Sequence, residues 1–469
     1  MPKLLKYLTF FLIIGSFLFS CKKETISTNS QHRLEMRTDT LWFDTVFTNV
    51  NNTTPKSVNK QIVIVNPYNQ KLRTDIELAG GASSHFRLNV DGVAGYSFKD
   101  IELFPEDSVF LFVEVHPDPN NNSPDFNPLI IRDSIMFMTN GNEQKVNLIG
   151  WGQDAHYIFR DSIESDTTWS NSLLPIVVYG YCYVKPGVKL TIDPGMQIHY
   201  APYSWLFVEG ELEVSGTASE PVLMQGDRLQ PNWEETPGQW GGIWFSYPSK
   251  GSVIEHALIK NGTVGIYCDS TSGDANTTPN VTIKKSFIRN MAFDGVAGRG
   301  SYIRMENSIS SNCGRFTFLA SFGGKYDIRH STFHTGNRDF SRQDPNFAIL
   351  NINRDANNVI ISQHPIDFYM VNSIVDGTFA EGEIGTDLNG SAVVTLESNL
   401  LRTFNSVYEA DNIINKDTIF ENAYNFNYQL DSLSAAKDMG MILNPIISDD
   451  IEDNSRDASP DLGAYESKY

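Results

Sequence analysis

The sequence has few cysteines, no excess of positive charge and no apolar run long enough to span a membrane. Its four Cys residues form no Cys-x-x-Cys pair and no Cys/His cluster, so nothing indicates a zinc site. Lys and Arg number 36 against 56 Asp and Glu, and the net charge of −20 argues against binding nucleic acid or anionic lipid surfaces. No segment sustains an amphipathic helical pattern, whereas an aromatic content of 12% indicates a folded chain. These absences favour an exported all-β protein.

The N-terminus has the pattern of an export signal. Two Lys residues precede an apolar stretch, Leu8 to Phe19, that is shorter than the roughly 20 residues of a spanning helix. It ends in Leu18-Phe19-Ser20-Cys21, which resembles the bacterial lipobox. The resemblance implies a lipid on Cys21, a membrane contact through that anchor only, and an outer-membrane location with the leaflet left open. The alternative is a simple secretory signal with an incidental Cys.

Three Cys residues remain once Cys21 carries lipid. An odd number cannot close into a disulfide framework, so these residues are expected to be buried thiols. They are Cys182, Cys268 and Cys313.

Short alternating strands with turn residues between them occupy residues 37–153. Examples are Gln61-Ile-Val-Ile-Val65 and Val109-Phe-Leu-Phe-Val-Glu-Val115. Close spacing of such strands predicts an antiparallel sandwich. The order, with its ending Gln144-Lys-Val-Asn-Leu-Ile-Gly-Trp-Gly152, resembles the immunoglobulin-like modules of the ASPM/SPD-2/hydin type, which usually space or present other domains.

One short sequence motif, named here the phrase, occurs six times between Ile254 and Thr403. Each copy has an aliphatic residue or Met, two mostly polar residues, a small or polar residue, mostly apolar positions and a polar close. The small position recurs at steps of 29, 22, 23, 42 and 26 residues, a period that indicates a solenoid. Its members are Ala257, Ser286, Ser308, Ser331, Ser373 and Asn399. The phrase closes on Asn in three successive copies, which predicts a ladder of stacked amides (Asn261, Asn290 and Asn312).

Phrases rich in Ile, Val, Phe and Ser between turn residues favour strands over helices. The pattern resembles the right-handed parallel β-helix proteins of the pectin-lyase-like group, and Lys185-Pro-Gly-Val-Lys-Leu-Thr-Ile192 resembles their first coils. The closing Pro460-Asp-Leu-Gly-Ala-Tyr-Glu466 resembles the end of many secreted β-helix proteins, where it folds back over the last coil. The predicted fold is therefore all-β, with an immunoglobulin-like sandwich, a right-handed parallel β-helix and a C-terminal cap.

Six segments follow from these patterns. They are a lipoprotein signal peptide (1–20), a lipidated tether (21–36), the sandwich (37–153), a connector (154–175), the β-helix (176–427) and a capping segment (428–469).

Aromatic residues cluster in the first coils, and rings exposed on a groove can stack on sugars. Trp240 and Trp244 are expected to pack inside the coils or against the join to the sandwich. Trp233 lies in a loop with two Glu residues and is the better ligand-binding candidate. The cluster comprises Tyr200, Tyr203, Trp205, Trp233, Trp240, Trp244 and Tyr247.

The repeat register predicts a second candidate. Positions three residues after each small position are expected to point outward and stack in one column. The column contains Lys260, Arg289, Ser311, His334, Asp376 and Arg402, and Arg338 lies near it in sequence. Such a column suits an anionic polysaccharide; the alternative is a solvated face. The acidic run at Asp449, Asp450, Glu452 and Asp453 suggests Ca²⁺ or, alternatively, a solvated turn.

No paired acid and base emerges from these patterns, the Asp motifs of the polygalacturonase family are absent, and no lyase motif is recognisable. The expected function is therefore non-catalytic binding or a structural or adhesive interaction in the cell envelope, with polysaccharide or another cell-surface component as the expected partner, no resident cofactor and no metal. The alternative is a polysaccharide lyase or glycoside hydrolase acting on an anionic polysaccharide, which rests on fold analogy.

Overall fold

The computed structural model describes residues 25–48, 58–118, 129–170, 174–269, 277–336 and 338–467. The chain divides into two compact units, Met1–Asp154 and Ala155–Tyr469. Within the described ranges no helix has the length and apolar character needed to cross a membrane. The predicted signal peptide and Cys21 lie outside the described residues.

The first unit contains two five-stranded sheets. The first sheet has the order β1 (Glu35–Met36), β3 (Val58–Val65), β8 (Ser108–Val115), β5 (Phe86–Val90) and β6 (Val93–Gly95). The second has the order β2 (Thr40–Phe47), β10 (Asn142–Gln153), β9 (Leu129–Thr139), β4 (Leu72–Leu78) and β7 (Ser97–Leu103). Strand pairs are antiparallel except β2 with β10, which is parallel. This arrangement confirms the predicted antiparallel sandwich architecture.

Alternate residues of these strands point into one core, as period-2 patterning requires. Ile64, Leu111 and Phe137 are fully buried there. Leu34 belongs to the same core, and Gln144 hydrogen-bonds both its N–H (3.0 Å) and its carbonyl (2.9 Å). The expectation that the tether runs to residue 36 is therefore wrong, because the residues around Leu34 gain backbone partners and apolar burial from the sandwich.

The second unit is a parallel β-helix, in which 25 strands pair in one continuous order. The strands before the six-copy region are β11 (His156–Ile163), β12 (Thr167–Trp169), β13 (Ile176–Val184), β14 (Lys189–Ile192), β15 (Gln197–Tyr200), β16 (Trp205–Val208), β17 (Glu211–Ser215), β18 (Val222–Gly226) and β19 (Gly242–Ser246). The next are β20 (Ser252–Glu255), β21 (Ala257–Lys260), β22 (Ile266–Asp269), β23 (Val281–Lys284), β24 (Phe287–Arg289), β25 (Val296–Glu306), β26 (Ile309–Ser311), β27 (Phe318–Arg329) and β28 (Thr332–Thr335). The last are β29 (Phe347–Leu350), β32 (Ile366–Val371), β33 (Ile374–Gly377), β34 (Ile384–Asp387), β35 (Ala392–Glu397), β36 (Leu400–Leu401) and β37 (Ile413–Ile414).

Two antiparallel hairpins lie outside this order. They are β30 (Ile352–Arg354) with β31 (Ile360–Gln363), and β38 (Phe420–Asn422) with β39 (Asn427–Leu430). The first hairpin falls inside the 42-residue step, so the longest step is a coil with an inserted loop, as expected.

The pairing resolves into three stacked sheets, named here A, B and C. Sheet A runs from the end of β13 through β16, β19, β22, β25, β27 and β29 to β34. Sheet B runs from β12 through β14, β17, β20, β23, β25, β27 and β32 to β35. Sheet C runs from the start of β13 through β15, β18, β21, β24, β26, β28 and β33 to β36 and β37.

Within the predicted connector (154–175), residues 156–163 and 167–169 instead form the first strands of the solenoid. Strand β11 pairs in parallel with β13, and β12 pairs with β14. Charged, exposed residues lie in β11, so the sequence there does not show the alternation of buried and exposed side chains. A coil at the end of the solenoid is covered by a neighbouring coil on one side, which permits such residues. The connector prediction is wrong for this reason.

Each phrase copy spans the bend between sheets B and C. The residue at the bend has a positive φ in every copy, between 42° and 51°. Asn and His supply four of the six residues there, and both tolerate this left-handed conformation better than most side chains. The bend residues are His256, Lys285, Asn307, His330, Asn372 and Ser398.

The small position that follows each bend carries a hydrogen-bond ladder. The Ser308 hydroxyl accepts from the Ser286 N–H at 3.1 Å, and the Ser373 hydroxyl accepts from the Ser331 N–H at 3.1 Å. A side-chain oxygen thus satisfies a buried N–H where the chain turns between two sheets. This explains why the position is small and usually Ser.

The predicted amide ladder is confirmed. Asn312 Nδ2 donates to Asn290 Oδ1 at 2.6 Å, and Asn290 Nδ2 donates to Asn261 Oδ1 at 3.3 Å.

The C-terminal segment folds back along the flank of the coils. The Gly463 N–H donates to the Asn372 carbonyl, and the Ala464 N–H donates to the Thr332 hydroxyl. Tyr428 and Ala464 pack with Ile309 on sheet C. The segment therefore covers the side of several coils.

Candidate functional site

The predicted column (Lys260, Arg289, Ser311, His334, Asp376 and Arg402, named here the charged column) stacks on successive strands of sheet C. Lys260 pairs in register with Arg289, Arg289 with Ser311, Ser311 with His334, and His334 with Asp376. The Arg402 N–H donates to the carbonyl of Val375, which places it on the next coil. The stacking therefore follows the predicted register.

The column does not form an exposed surface. Lys260 is 5% exposed, His334 9% and Asp376 8%. The expectation that these side chains face solvent is wrong, because loops and the C-terminal segment cover sheet C.

Glu235, from the loop that also carries Trp233, neutralises the upper part of the charged column. Its carboxylate lies 3.2 Å from Lys260 Nζ and 2.8 Å from Arg289 Nη2, and it accepts a hydrogen bond from Asn290 Nδ2. The Glu234 carbonyl also accepts from Lys260 Nζ at 3.0 Å. Burial lowers the pKa of Arg289, although Glu235 opposes that effect. One carboxylate thus neutralises two largely buried cations, which we name the Glu235 clamp.

Arg338 and Arg289 both contact Phe426 in the β38–β39 hairpin. Their guanidinium groups lie 4.3 and 4.1 Å from the Phe426 ring centroid, within cation–π range. Arg338 also donates to the Tyr424 carbonyl at 3.0 Å. These contacts occupy both guanidinium groups within the protein.

His334, Asp376 and Arg402 form the lower part of the charged column. Arg402 Nε lies 2.6 Å from Asp376 Oδ1, and His334 Nε2 lies 3.7 Å from Asp376 Oδ2. The Tyr428 hydroxyl lies 3.3 Å from His334 Nδ1. Burial lowers the pKa of His334, and Asp376 opposes this effect. The geometry is that of an internal polar network.

The predicted aromatic cluster divides into several environments. Trp240 is buried, stacks on Tyr200 at 4.1 Å and donates to the Lys260 carbonyl, so the expectation that it packs inside the coils is confirmed. Trp233 is half-buried, and the Arg228 guanidinium lies 5.1 Å from its ring. Trp244, expected inside the coils or against the join to the sandwich, lies on the outer side of sheet A and is half-buried.

Outward positions of sheet A bring together six rings, named here the aromatic face. One row places Tyr183, Phe207, Trp244 and Tyr267 on four successive coils, and a neighbouring row adds Tyr181 and Trp205. Each ring alternates with buried residues of the core, as the strand period requires.

All rings of the aromatic face except Tyr183 lie in contact with a neighbouring ring. Centroids lie 5.8 Å apart for Phe207 and Trp244, 5.1 Å for Trp244 and Tyr267, and 6.0 Å for Trp205 and Phe207. Tyr181 is 37% exposed and the other five rings are half-buried. The result is a continuous, partly exposed apolar surface.

Polar groups border the aromatic face. The Tyr183 hydroxyl donates to Glu209 at 2.6 Å, and the Ser246 hydroxyl lies 3.4 Å from the same carboxylate. Asp269 pairs with Arg299 at 3.3 Å. Hydrogen bonding from Tyr183 to Glu209 raises the pKa of Tyr183 to about 12, so the phenol keeps its proton at neutral pH.

Sequence reasoning included Trp205 and Trp244 in a cluster but missed Tyr181, Tyr183, Phe207 and Tyr267. The signal was available in the alternation Tyr181-Cys-Tyr183, in which a core thiol separates two outward rings. The sequence alone does not reveal which coils pair outside the six copies, so these rings could not be placed on one face.

A polar cleft of about 340 Å³ lies between sheet B and the C-terminal segment. Its basic side chains are paired: Lys284 with Glu306 at 3.2 Å, and Lys285 with Asp449 at 2.7 Å and Asp453 at 2.5 Å. These contacts tie the acidic run to the coils. The cleft is therefore built of internal ion pairs.

Asp450, from the same run, organises the turn by accepting from the N–H groups of Glu452, Asn454 and Glu466. Within the described ranges, no group of three or more His, Cys, Asp or Glu side chains is placed to hold a metal ion. Binding of Ca²⁺ at the acidic run stays a prediction.

No family model and no curated protein matches the chain. Among solved structures, the catalytic unit of a GH87 alpha-1,3-glucanase from Streptomyces thermodiastaticus is 11% identical with a TM-score of 0.22, and the match covers 74% of this chain and 75% of that chain. The ASH / PapD-like domain of human CEP192 is 9% identical with a TM-score of 0.19, covering 29% of this chain and 94% of that chain. Such scores transfer no activity, and the fold rests on the strand pairing described above.

Proposed function

We propose that this protein is a cell-envelope lipoprotein whose solenoid binds polysaccharide without cleaving it, through the aromatic face. One observation carries the proposal: six rings, five of them in contact with a neighbouring ring, lie on the outer side of sheet A, partly exposed and bordered by hydrogen-bonding groups. Flat apolar rings with polar neighbours suit the apolar faces and hydroxyl groups of sugars.

The charged column is the weaker candidate for the same role. Glu235 satisfies Lys260 and Arg289, and Asp376 satisfies Arg402. A ligand carboxylate would have to displace a protein carboxylate from largely buried cations, at the cost of breaking existing ion pairs. The aromatic face requires no such displacement.

The membrane anchor enters the proposal through the lipobox resemblance at Cys21. A lipid on Cys21 would hold the protein at the membrane while leaving both folded units in water.

The test uses soluble protein beginning at residue 25 and a panel of neutral, acidic and aminated polysaccharides. Retention is measured by affinity electrophoresis, and released chain ends are measured in parallel. We expect retention without release. The Trp244→Ala change should weaken retention strongly, whereas Trp233→Ala, a matched removal of one half-buried indole, should leave it unchanged.

Two results would contradict the proposal. Release of chain ends would show an enzyme and revive the lyase or hydrolase alternative. Retention lost in Trp233→Ala but kept in Trp244→Ala would move the site to the loop that carries the Glu235 clamp.

A further inference from the structure

We infer that the aromatic face takes an uncharged, extended glycan that lies along the solenoid axis with one sugar on each of four coils. This inference rests on the proposed function and adds the ligand's charge, orientation and length. It differs from the anionic polysaccharide expected from the charged column.

The orientation follows from the spacing of the rings. Neighbouring strands lie about 4.8 Å apart, so the Tyr183 row repeats at that step along the axis. The observed centroid separations of 5.8 Å and 5.1 Å follow this step closely. A hexose in an extended β-linked chain advances by a similar length, so an axial glycan meets a fresh ring with each sugar. A glycan lying across the strands would cross only two rows.

The length of the bound glycan segment follows from where the row of rings from Tyr183 to Tyr267 begins and ends. Ser162 pairs in register with Tyr183 at one end, and Ala297 pairs with Tyr267 at the other. Beyond Ala297 the row continues as Leu319 and Ala348, which are buried with it in a small apolar cluster that Tyr267 packs against. Rings therefore occupy four successive coils and stop at both ends.

The expected absence of charge on the glycan follows from the side chains that border the aromatic face. Glu209 lies two residues after Phe207 and contacts the hydroxyl groups of Tyr183 and Ser246, whereas Asp269, two residues after Tyr267, is paired with Arg299. Glu209 is therefore the carboxylate that bears on the charge of the ligand. Carboxylates accept hydrogen bonds from sugar hydroxyls but repel the carboxylates or sulfates of an acidic glycan. The chain's net charge of −20 adds a long-range repulsion of the same sign.

The experiment compares two soluble polymers with the same backbone, hydroxyethylcellulose and carboxymethylcellulose, at low and high salt. It adds titrations with cello-oligosaccharides of increasing length. We expect hydroxyethylcellulose to bind about tenfold more tightly than carboxymethylcellulose at low salt, with the gap narrowing as salt rises. Affinity should rise several-fold with each sugar up to four and then level off, matching the four coils.

Variants at the end of the row test the correspondence between sugar and coil. Removing the last ring with Tyr267→Ala should move the plateau from four sugars to three. Tyr267→Leu should do the same while keeping apolar packing against Trp244, so a loss of folding in the Ala variant leaves the test intact.

The outcomes separate this inference from the proposed function. Equal or tighter binding of carboxymethylcellulose, exclusive retention of aminated glycans, or an affinity independent of chain length would overturn the inference while polysaccharide binding through Trp244 stands. If no polysaccharide in either set binds, both the inference and the proposed function are wrong.

Discussion

Removing the carboxylate of the Glu235 clamp should destabilise the solenoid unit by about 2–3 kcal/mol. In Glu235→Gln the side chain keeps its size but loses its charge. Lys260 and Arg289, whose side chains are 6% and 12% exposed, would then lack their partner. The neutral amide can still accept a hydrogen bond, so the change isolates the ionic part of the contact.

The magnitude follows from burial. Leaving a buried charge uncompensated costs about 3–5 kcal/mol. The Glu235 side chain is 25% exposed, so water screens part of the interaction and the lower end of that range applies. The backbone carbonyl of Glu234 still accepts from Lys260. We therefore expect a loss of about 2–3 kcal/mol.

Urea unfolding of the soluble protein, followed by Trp fluorescence, measures this loss. Trp240 donates to the Lys260 carbonyl and reports on the same coil. Glu234→Gln removes an exposed neighbouring carboxylate and should change stability by less than about 0.5 kcal/mol. Replacing Lys260 by Met in the Glu235→Gln background should recover part of the loss, since one uncompensated cation is gone.

Equal effects of Glu235→Gln and Glu234→Gln would refute this reasoning. They would mean that Lys260 and Arg289 obtain their compensation from water or from a rearranged loop. In that case the charged column is open to solvent in solution, and its role as a ligand surface would need to be considered again.

Four further predictions concern other parts of the chain. Burial raises the pKa of each of the three thiols to about 12, so none should react with a thiol reagent at neutral pH until the protein unfolds; they are Cys182, Cys268 and Cys313. Burial lowers the pKa of His334 below its ordinary 6.5. The stability linked to the neutral ring is therefore present above pH 6.5 and is lost as the pH falls toward the folded-state pKa. The urea concentration at the unfolding midpoint should fall on acidification, and it should fall less in His334→Gln. Ser308→Ala removes the acceptor of the Ser286 N–H and should cost about 1–3 kcal/mol in urea unfolding, against little change for an exposed Ser. Replacing Cys21 by Ser in the full chain should release the protein from the membrane fraction, and its retention there would contradict the proposed lipid anchor.

Much of the solenoid was predictable because its repeat encodes local geometry. Ser286 and Ser308 recur since each supplies an acceptor at the same bend, and the amides of Asn290 and Asn312 recur since each bonds the next. Such requirements are short-range, so six copies suffice to reveal them. The stacking of Lys260 on Arg289 followed from the same register.

What covers those coils was not predictable by the same means. Glu235 meets Arg289 from 54 residues away, and Tyr428 meets His334 from 94 residues away. Neither partner belongs to the repeat, so the period contains no trace of them. An alternating strand shows which side chains leave the core, whereas their exposure depends on segments that cross from elsewhere. For that reason the column's register was right and its exposure wrong.

The same distinction bears on where a function can lie. Positions that repeat in every copy are accounted for by the bend and by the ladders, which every coil needs in order to fold. The outward row of sheet A does not repeat: it holds rings from Tyr183 to Tyr267 and then Ala297, although the backbone pairing is the same on both sides of the change. Because the fold tolerates Ala297 at that position, ring stacking is not a condition of forming the coil. The rings therefore need a reason outside folding, and a ligand that spans four coils supplies one.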